Sequence, residues 1–475
     1  MLEVFYNSFG VILLVVILVP IFLFAILLFA KPKLIKDEAR KARTTYLLLI
    51  FCLIMMILSY FNDSKEERKS NKAQEIILLG DNAFANSLYD DALLKYFEAL
   101  NHSKGAYNNL ESMCSIFNKI AQTYRMKEDL DKALGQYSNA LEVAELMNEN
   151  VLIANAEMQL GRIYYDMEKP NIGINHKKKA WNAIKGTNNE ELKFVILKEL
   201  ASNSHALDQV GMAIKYLTAA LQISKNIGPI EEEMELSYEL GMLHKHNRTF
   251  DLAIDIFKGA LLLGLVEMNE EYESRVLFQL GNIYFERREI DNALDYYYQA
   301  ISKSTHLGDT NLLKSLYSSI IEICEMQDDR GCILMYLKKE ASLDERVGNI
   351  RSLIANYIRI GDFYVNTQKI GNNAIALNKF EHALRLAEDN NCMQLQLTAL
   401  NRIGDLQIKM YDCYKAIECL KKGLNILKEQ GDCPVKQTLL ASLTKAYECT
   451  GNKSMAIATL QKMTKSKVSN PKIKN

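Results

Sequence analysis

Small residues recur at three positions along most of the chain, between about residues 73 and 463. The second position lies seven residues after the first, and the third lies twelve residues before it. The first position recurs every 40 to 43 residues, as Ala92, Ala133, Gly173, Ala213, Ala253, Ala293, Ile333, Ala376, Ala416 and Ala456. Self-similarity at a fixed period of this length is typical of a solenoid.

Each copy has the pattern of two amphipathic helices joined by a short turn. In the sixth copy, residues 275–287 form the first predicted helix and residues 292–304 the second. Gly281, Ala293 and Ala300 would let these helices approach, because helices cross closely only where side chains are small. The pattern predicts an all-α chain of about ten helical hairpins from residue 73 to residue 463.

Three short runs carry a resemblance to a known family. They are Leu-Gly-Arg-Ile-Tyr at 160–164, Leu-Gly-Asn-Ile-Tyr at 280–284 and Ile-Gly-Asp-Phe-Tyr at 360–364. An Asp-x-Ala-x-x-x-Tyr-x-x-Ala segment follows the second run at 291–300. The pattern resembles the tetratricopeptide repeat (TPR) family, and the 40-residue period resembles its longer-helix variety. The resemblance implies a right-handed α-solenoid whose first helices line a concave face.

Two apolar runs precede the repeats. Residues 10–30 are almost wholly apolar, which is long enough to span a bilayer, and residues 44–61 carry no charge. A cleaved signal peptide is the alternative for the first run, but residues 1–9 lack the basic residues it would have. We therefore expect a transmembrane hairpin before the solenoid. Its parts are an N-terminal flank (1–9), helix 1 (10–30), a basic linker (31–43), helix 2 (44–61) and a juxtamembrane linker (62–72).

The orientation of this hairpin rests on two opposing signals. The linker at 31–43 has six basic residues and the flank after the second run has four, so the positive-inside rule places the solenoid outside. Eight of the nine cysteines lie in the repeats without a recurring spacing, and unpaired cysteines favour a reducing compartment. We predict a multi-pass membrane protein with two spans. We favour an exoplasmic or periplasmic solenoid, with the cytoplasmic side left open.

Composition and motifs give no sign of catalysis. The net charge of −1 lacks the basicity of a nucleic-acid binder. No C-x-x-C or phosphate-binding glycine loop occurs, and His244 and His246 would point apart on a helix. We predict no enzyme, no cofactor, no metal, no nucleic acid and no small-molecule substrate. A basic tail follows the repeats at 464–475.

The family resemblance also implies which residues meet a ligand. Exposed positions on each first helix fall three before, one after and four after its small residue, and we call these positions the binding face. The predicted protein- or peptide-binding residues on it are Asn118, Gln122, Arg125, Arg162, Tyr165, Lys198, Tyr238, Lys245, Phe278 and Asn282. Amides would bond a ligand's backbone, cations its carboxylates and aromatic rings its apolar side chains. Later copies place Asp362 and Asp405 there, so the charge changes sign along the face.

The seventh copy departs from the pattern. Ile321, Ile333 and Glu340 replace its three small residues. Bulky side chains at a close crossing are expected to force the helices apart and to change the superhelix pitch between residues 320 and 375. The alternative is sequence drift that the fold absorbs.

Taken together, these features predict a membrane-anchored scaffold or receptor that binds a protein or peptide in its groove. Two alternatives stay open. One is the sensor component of a bacterial signalling system that passes its output to a separate partner. The other is an assembly subunit of a larger membrane complex.

Overall fold

The structure, a computed structural model, describes residues 51–52, 54–56, 71–103, 110–367, 371–427 and 434–468. Within these ranges no residue lies in a β-strand. The helices from residue 71 onward are α1 (71–85), α2 (Tyr89–Ser103), α3 (Leu110–Met126), α4 (Leu130–Met147), α5 (Asn150–Asp166), α6 (Pro170–Ile184), α7 (Glu190–Ala206), α8 (Val210–Ile227), α9 (Ile230–His246), α10 (Phe250–Val266), α11 (Glu270–Glu286), α12 (Ile290–Leu307), α13 (Thr310–Met326), α14 (Arg330–Val347), α15 (Ile350–Asn366), α16 (Asn372–Asp389), α17 (Met393–Lys409), α18 (Cys413–Ile426), α19 (Pro434–Cys449) and α20 (Lys453–Val468). The predicted all-α solenoid of helical hairpins is confirmed.

Short turns join the two helices of a hairpin. In several copies the turn contains one non-glycine residue in the left-handed region: Glu128, Glu168, Asp208, Arg248, Arg288 and Asp328. The next backbone N–H then donates to a carbonyl five residues earlier, as from Asp129 to Tyr124 at 3.0 Å. This bond satisfies a carbonyl that the helix end would leave unpaired, and it turns the chain into the second helix.

The chain forms two compact units, Met1–Ile223 and Ser224–Asn475, with the boundary inside α8. In the first unit, the small residues Ala121 and Ala133 are fully buried. They belong to a hydrophobic cluster that also contains Tyr137, Leu160 and Ile163. Small and large residues therefore alternate across the helix contacts, as the periodic pattern predicts.

The second unit shows why a glycine is needed at a crossing. A Cβ added to Gly281 on α11 would lie 2.5 Å from Cδ1 of Tyr297 on α12. Tyr297, Ala293 and Ala300 are all fully buried. The prediction that these small residues mark the contact between paired helices is confirmed.

In the seventh copy, α13 and α14, two of the three larger residues are buried and Ile333 is half-buried. Ile321 is 3% exposed and Glu340 is 2% exposed. Glu340 accepts a hydrogen bond from Ser318 Oγ at 2.7 Å and pairs with Arg359 at 2.5 Å. The change in superhelix pitch stays a prediction.

The expectation of unpaired cysteines is wrong at four positions. Disulfide bonds join Cys324 to Cys332 and Cys413 to Cys449. The first links the last turn of α13 to the first turn of α14, because the hairpin turn returns the chain to the same end of the pair. A spacing of eight residues along the sequence therefore becomes a Cα–Cα distance of 5.9 Å.

The transmembrane hairpin and the multi-pass membrane localisation are corrected. No helix in the part of the chain that the structure describes is long and apolar enough to cross a membrane. The predicted span at 10–30, the segments at 1–9 and 31–43, and most of 44–72 lie outside the described residues. Of the second predicted span, only residues 51–52 and 54–56 are described, and these are helical. The last seven residues of the basic tail also lie outside.

Candidate functional site

The first unit carries six of the predicted binding-face residues on three successive first helices. Asn118, Gln122 and Arg125 lie on α3, Arg162 and Tyr165 on α5, and Lys198 on α7. Gln122, Tyr165 and Lys198 are exposed, whereas the other three are half-buried. The exposed side chains are thus available to a ligand, whereas the half-buried ones also contact neighbouring side chains.

The two arginines of the binding face in this unit pair with carboxylates of the next copy. Arg125 Nε lies 2.6 Å from Asp166, and Arg162 Nε lies 2.8 Å from Glu199 Oε1. Burial opposes ionisation of Glu199, but hydrogen bonds from Arg162 and Lys177 outweigh it and hold its pKa below the usual value. The prediction of a basic surface therefore missed the acids that neutralise it.

Lys177 on α6 is a buried cation beneath this surface. It is 4% exposed, and its Nζ lies 2.8 Å from Glu199 Oε2 and 6.0 Å from the ring centre of Tyr165. It occupies the position at which other copies have Tyr137, Phe257 or Tyr297. Among the described contacts, the carboxylate of Glu199 is thus shared by two cations, Arg162 and Lys177.

Asn118 has an acceptor that the protein does not use. Its Oδ1 is buried without a hydrogen-bond partner among the described residues, while its Nδ2 lies 3.9 Å from Cys114 Sγ. An unpaired buried carbonyl oxygen is costly, because it has lost its water. Because the oxygen is buried, a ligand's backbone N–H could reach it only after the Asn118 side chain turns outward.

In the second unit, hydrogen bonds connect three of the four predicted residues through Gln279. Its Nε2 donates to Tyr238 Oη at 3.2 Å, and its Oε1 accepts from Lys245 Nζ at 3.0 Å and Asn282 Nδ2 at 3.4 Å. The fourth, Phe278, packs with its ring centre 6.0 Å from that of Tyr297. The structure therefore brings all four to one stretch of α9 and α11.

This network leaves some of its members little capacity for a ligand. Asn282 Oδ1 already accepts from Tyr297 Oη at 2.8 Å. Burial lowers the pKa of Lys245 below its usual value, with Glu286 acting in the opposite direction. Arg275 lies 4.7 Å from the ring centre of Tyr238, which covers one face of that ring. Asn282 and Lys245 therefore hold neighbouring side chains in place, and only part of their hydrogen-bonding capacity is left for a ligand.

A regular set of contacts, which we call the ladder, joins successive first helices on this face. The residue one after the small residue pairs with the residue two before the next small residue: Asp81 with Lys119, Arg162 with Glu199, and Asp362 with Arg402. The residue four after pairs with the one five after in the next copy: Arg125 with Asp166, and Lys245 with Glu286. Opposite charges 37 to 41 residues apart were the signal in the sequence that would have revealed it.

The described residues contain no group of three or more His, Cys, Asp or Glu side chains able to hold a metal ion. The class that fold and face define is a TPR-like helical repeat protein. A model of the tetratricopeptide repeat matches residues 274–302, which supports the resemblance in the sequence.

Comparison with known proteins finds similar chains. Regulatory protein RapG of Bacillus subtilis is 22% identical over 215 residues, which is 44% of this chain and 56% of RapG, so the match spans little more than half of that relative. The C-terminal part of a TPR repeat-containing protein from Cytophaga hutchinsonii is 17% identical, with a TM-score of 0.43 over 57% of this chain and 95% of that one. The apo form of RapI is 13% identical, with a TM-score of 0.38 over 58% of this chain and 99% of that one.

Proposed function

We propose that this chain is a scaffold or receptor that binds a protein or peptide segment on the binding face of its first helices. The observation that carries the proposal is the set of exposed side chains Gln122, Tyr165 and Lys198 on three successive first helices. These groups offer hydrogen bonds, an aromatic surface and a positive charge, which are the contacts that peptide recognition uses. No catalytic step is part of the proposal.

The ion pairs of the ladder limit which cations of the binding face can contact a ligand. Arg125 and Arg162 already have carboxylate partners, so a ligand carboxylate would have to share them. Lys198 is exposed, and its Nζ lies 5.8 Å from the ring centre of Phe194. Lys198 is therefore the cation we expect to contact an acidic group of the ligand in the first unit.

Site-specific photo-crosslinking tests this proposal. A photoreactive phenylalanine analogue is placed at Gln122 or Tyr165, and, as the control, at Ser138, an exposed residue of the second helix α4. In the cells that produce the protein, both binding-face positions should yield the same crosslinked species. Equal crosslinking from Ser138 would contradict the proposal.

A charge reversal sharpens the same experiment. Lys198→Glu should lower the yield of that species about tenfold, because a hydrogen bond to a charged group is worth about 1.5–3 kcal/mol. Lys215→Glu makes the same charge change at an exposed residue of α8 and should leave the yield unaltered.

A regulatory role is the second candidate, and the similarity to RapG favours it because that relative is a regulatory protein. A regulator would change the activity of the protein it binds, whereas a scaffold would leave that activity as it is. Adding the purified chain to the crosslinked partner, once isolated, and assaying the partner alone and in complex would separate the two roles.

A further inference from the structure

A cavity of about 330 Å³ lies on the second unit between α15 and α17. The residues that shape it are Asp362, Phe380, Arg402, Asp405, Leu406 and Lys409. Phe380 and Leu406 are 1% and 2% exposed, so they form an apolar floor beneath charged walls. The volume is at the small end of ligand sites, which suits one long side chain better than a folded segment.

The cavity belongs to the binding face by position. Asp362 follows the small residue Gly361 by one, and Asp405 follows Gly404 by one. The equivalent residue in the third copy is Arg162. The same position of the face is thus cationic in the third copy and anionic here.

The two carboxylates are incompletely compensated. Arg402 Nε lies 3.0 Å from Asp362 Oδ1, whereas Asp405 Oδ2 accepts a hydrogen bond at 3.3 Å from the neutral amide of Asn401. Lys409 donates to the backbone carbonyl of Val365 at 3.1 Å. Burial raises the pKa of Asp362; Arg402 lowers it and Asp405 raises it again. A further cation between the carboxylates would therefore be stabilised.

We propose that this cavity receives a lysine or arginine side chain of the bound protein or peptide, with its charged end between Asp362 and Asp405. The aliphatic part of that side chain lies on Phe380 and Leu406, since long cationic side chains bury their stems on apolar surface. Two carboxylates alone give too few ligands for a metal ion, which takes four or more. The inference rests on the proposed function and names the chemistry of one end of its ligand.

A peptide library tests it with the full chain. The probe is a pool of N-acetylated, C-amidated hexapeptides with every residue at each position, retained on immobilised protein and sequenced. The wild-type chain should enrich Arg or Lys at one position. Asp405→Asn should reduce that enrichment about tenfold, because a charge-assisted hydrogen bond is lost. Asp412→Asn, the same change in the turn before α18, should leave it unaltered.

Two further variants test whether the charge at residue 405 determines which peptides bind. Asp405→Glu keeps the charge and should keep the enrichment, and Asp405→Lys should enrich Asp or Glu instead. Circular dichroism melting checks that each variant is folded. Unchanged Arg or Lys enrichment in Asp405→Asn and Asp405→Lys would overturn the inference and leave the proposed function standing. If no variant, wild type included, retains any peptide while the crosslinks from Gln122 and Tyr165 also fail, both are overturned.

Discussion

The sixth and seventh copies, both in the second unit, use opposite chemistry at the same helix contact. In the sixth, Ala300 on α12 is fully buried against its neighbours. In the seventh, the equivalent residue of α14 is Glu340, which is 2% exposed and held by Ser318 on α13 and Arg359 on α15. The hairpin accepts a carboxylate at this contact because helices on both sides supply its hydrogen bonds.

A second buried carboxylate extends the difference. Asp344, 1% exposed, pairs with Lys314 at 2.5 Å through one oxygen and accepts from Asn356 Nδ2 at 2.7 Å through the other. Small apolar residues pack against any neighbour of the right shape, whereas these carboxylates are satisfied only by particular partners. The buried carboxylates of the seventh copy thus depend on partners in the following copy, whereas the buried Glu273 of the sixth pairs with Lys303 inside its own hairpin.

The largest expected effect comes from moving the carboxylate into the sixth copy. Where the seventh has Ser318 and Arg359, the sixth has Phe278 and Ser319, so Ala300→Glu would bury a charge without a cation. We expect the free energy of unfolding to fall by at least about 5 kcal/mol. Hydrogen exchange of α11 and α12 in the full chain measures it. Ser302→Glu, at an exposed residue of α12, should change exchange little; equal effects would refute the comparison.

Removing the ring that fills the sixth copy should have the next largest effect. Tyr297 is fully buried over Gly281, so Tyr297→Ala leaves a cavity and should cost about 4 kcal/mol. Chemical denaturation and hydrogen exchange measure the loss. Tyr298→Ala is the matched control, since the ring of Tyr298, the next residue along the chain, is 49% exposed. A loss no larger than the control's would mean that the ring does not fill the contact.

Removing the carboxylate of the seventh copy should cost less than adding one to the sixth. Glu340→Ala restores the residue type of the other copies but leaves Ser318 and Arg359 without their partner. We expect a loss of about 3 kcal/mol, at the low end for a broken buried pair, because the side chain of Arg359 is 44% exposed and can reach water. Hydrogen exchange of α13 to α15 measures it, with exposed Glu345→Ala as control. A stabilised Glu340→Ala variant would show that small residues are better at both contacts.

The smallest effect is the pH dependence that the Tyr297 hydroxyl adds to the stability of the sixth copy. Burial raises the pKa of Tyr297 from 10.0 to about 12. The folded state keeps this proton where the unfolded state loses it, so stability falls as pH rises from 10 to 12, by about 1.4 kcal/mol per pH unit. Tyr297→Phe removes this dependence, so its stability difference from wild type should shrink between pH 8 and pH 11. A constant difference would show that the hydroxyl titrates normally.

The hairpins could be predicted because packing residues repeat. Gly281, Ala293 and Ala300 stand at fixed spacings, and shape alone decides that those positions are small. Lys177 could not be foreseen as a buried cation, because its position is aromatic or leucine in the other copies and its partner Glu199 lies on another helix. The Cys324–Cys332 bond was missed for a related reason, since only the hairpin turn makes that spacing a contact.

The candidate site was predictable in position but not in charge. The spacing rule places Tyr238, Lys245 and Asn282 on one face. The structure connects them through Gln279, which directly follows a binding-face position, Phe278. The charges of a single helix omit its partners on the next, and in the described residues the ladder joins five pairs of first helices. The transmembrane prediction was made from apolar composition alone, with no tertiary contact to test it.

The ladder also constrains how this gene can change in evolution. Its direction alternates: the acid precedes the base in Asp81–Lys119, and the base precedes the acid in Arg162–Glu199. Deleting the second copy would leave the backbone packing intact but would set Asp81 opposite Gln159, the residue two before Gly161. Recombination between copies would therefore break ion pairs worth about 0–1 kcal/mol each, even where the interchangeable alanines and glycines would permit it.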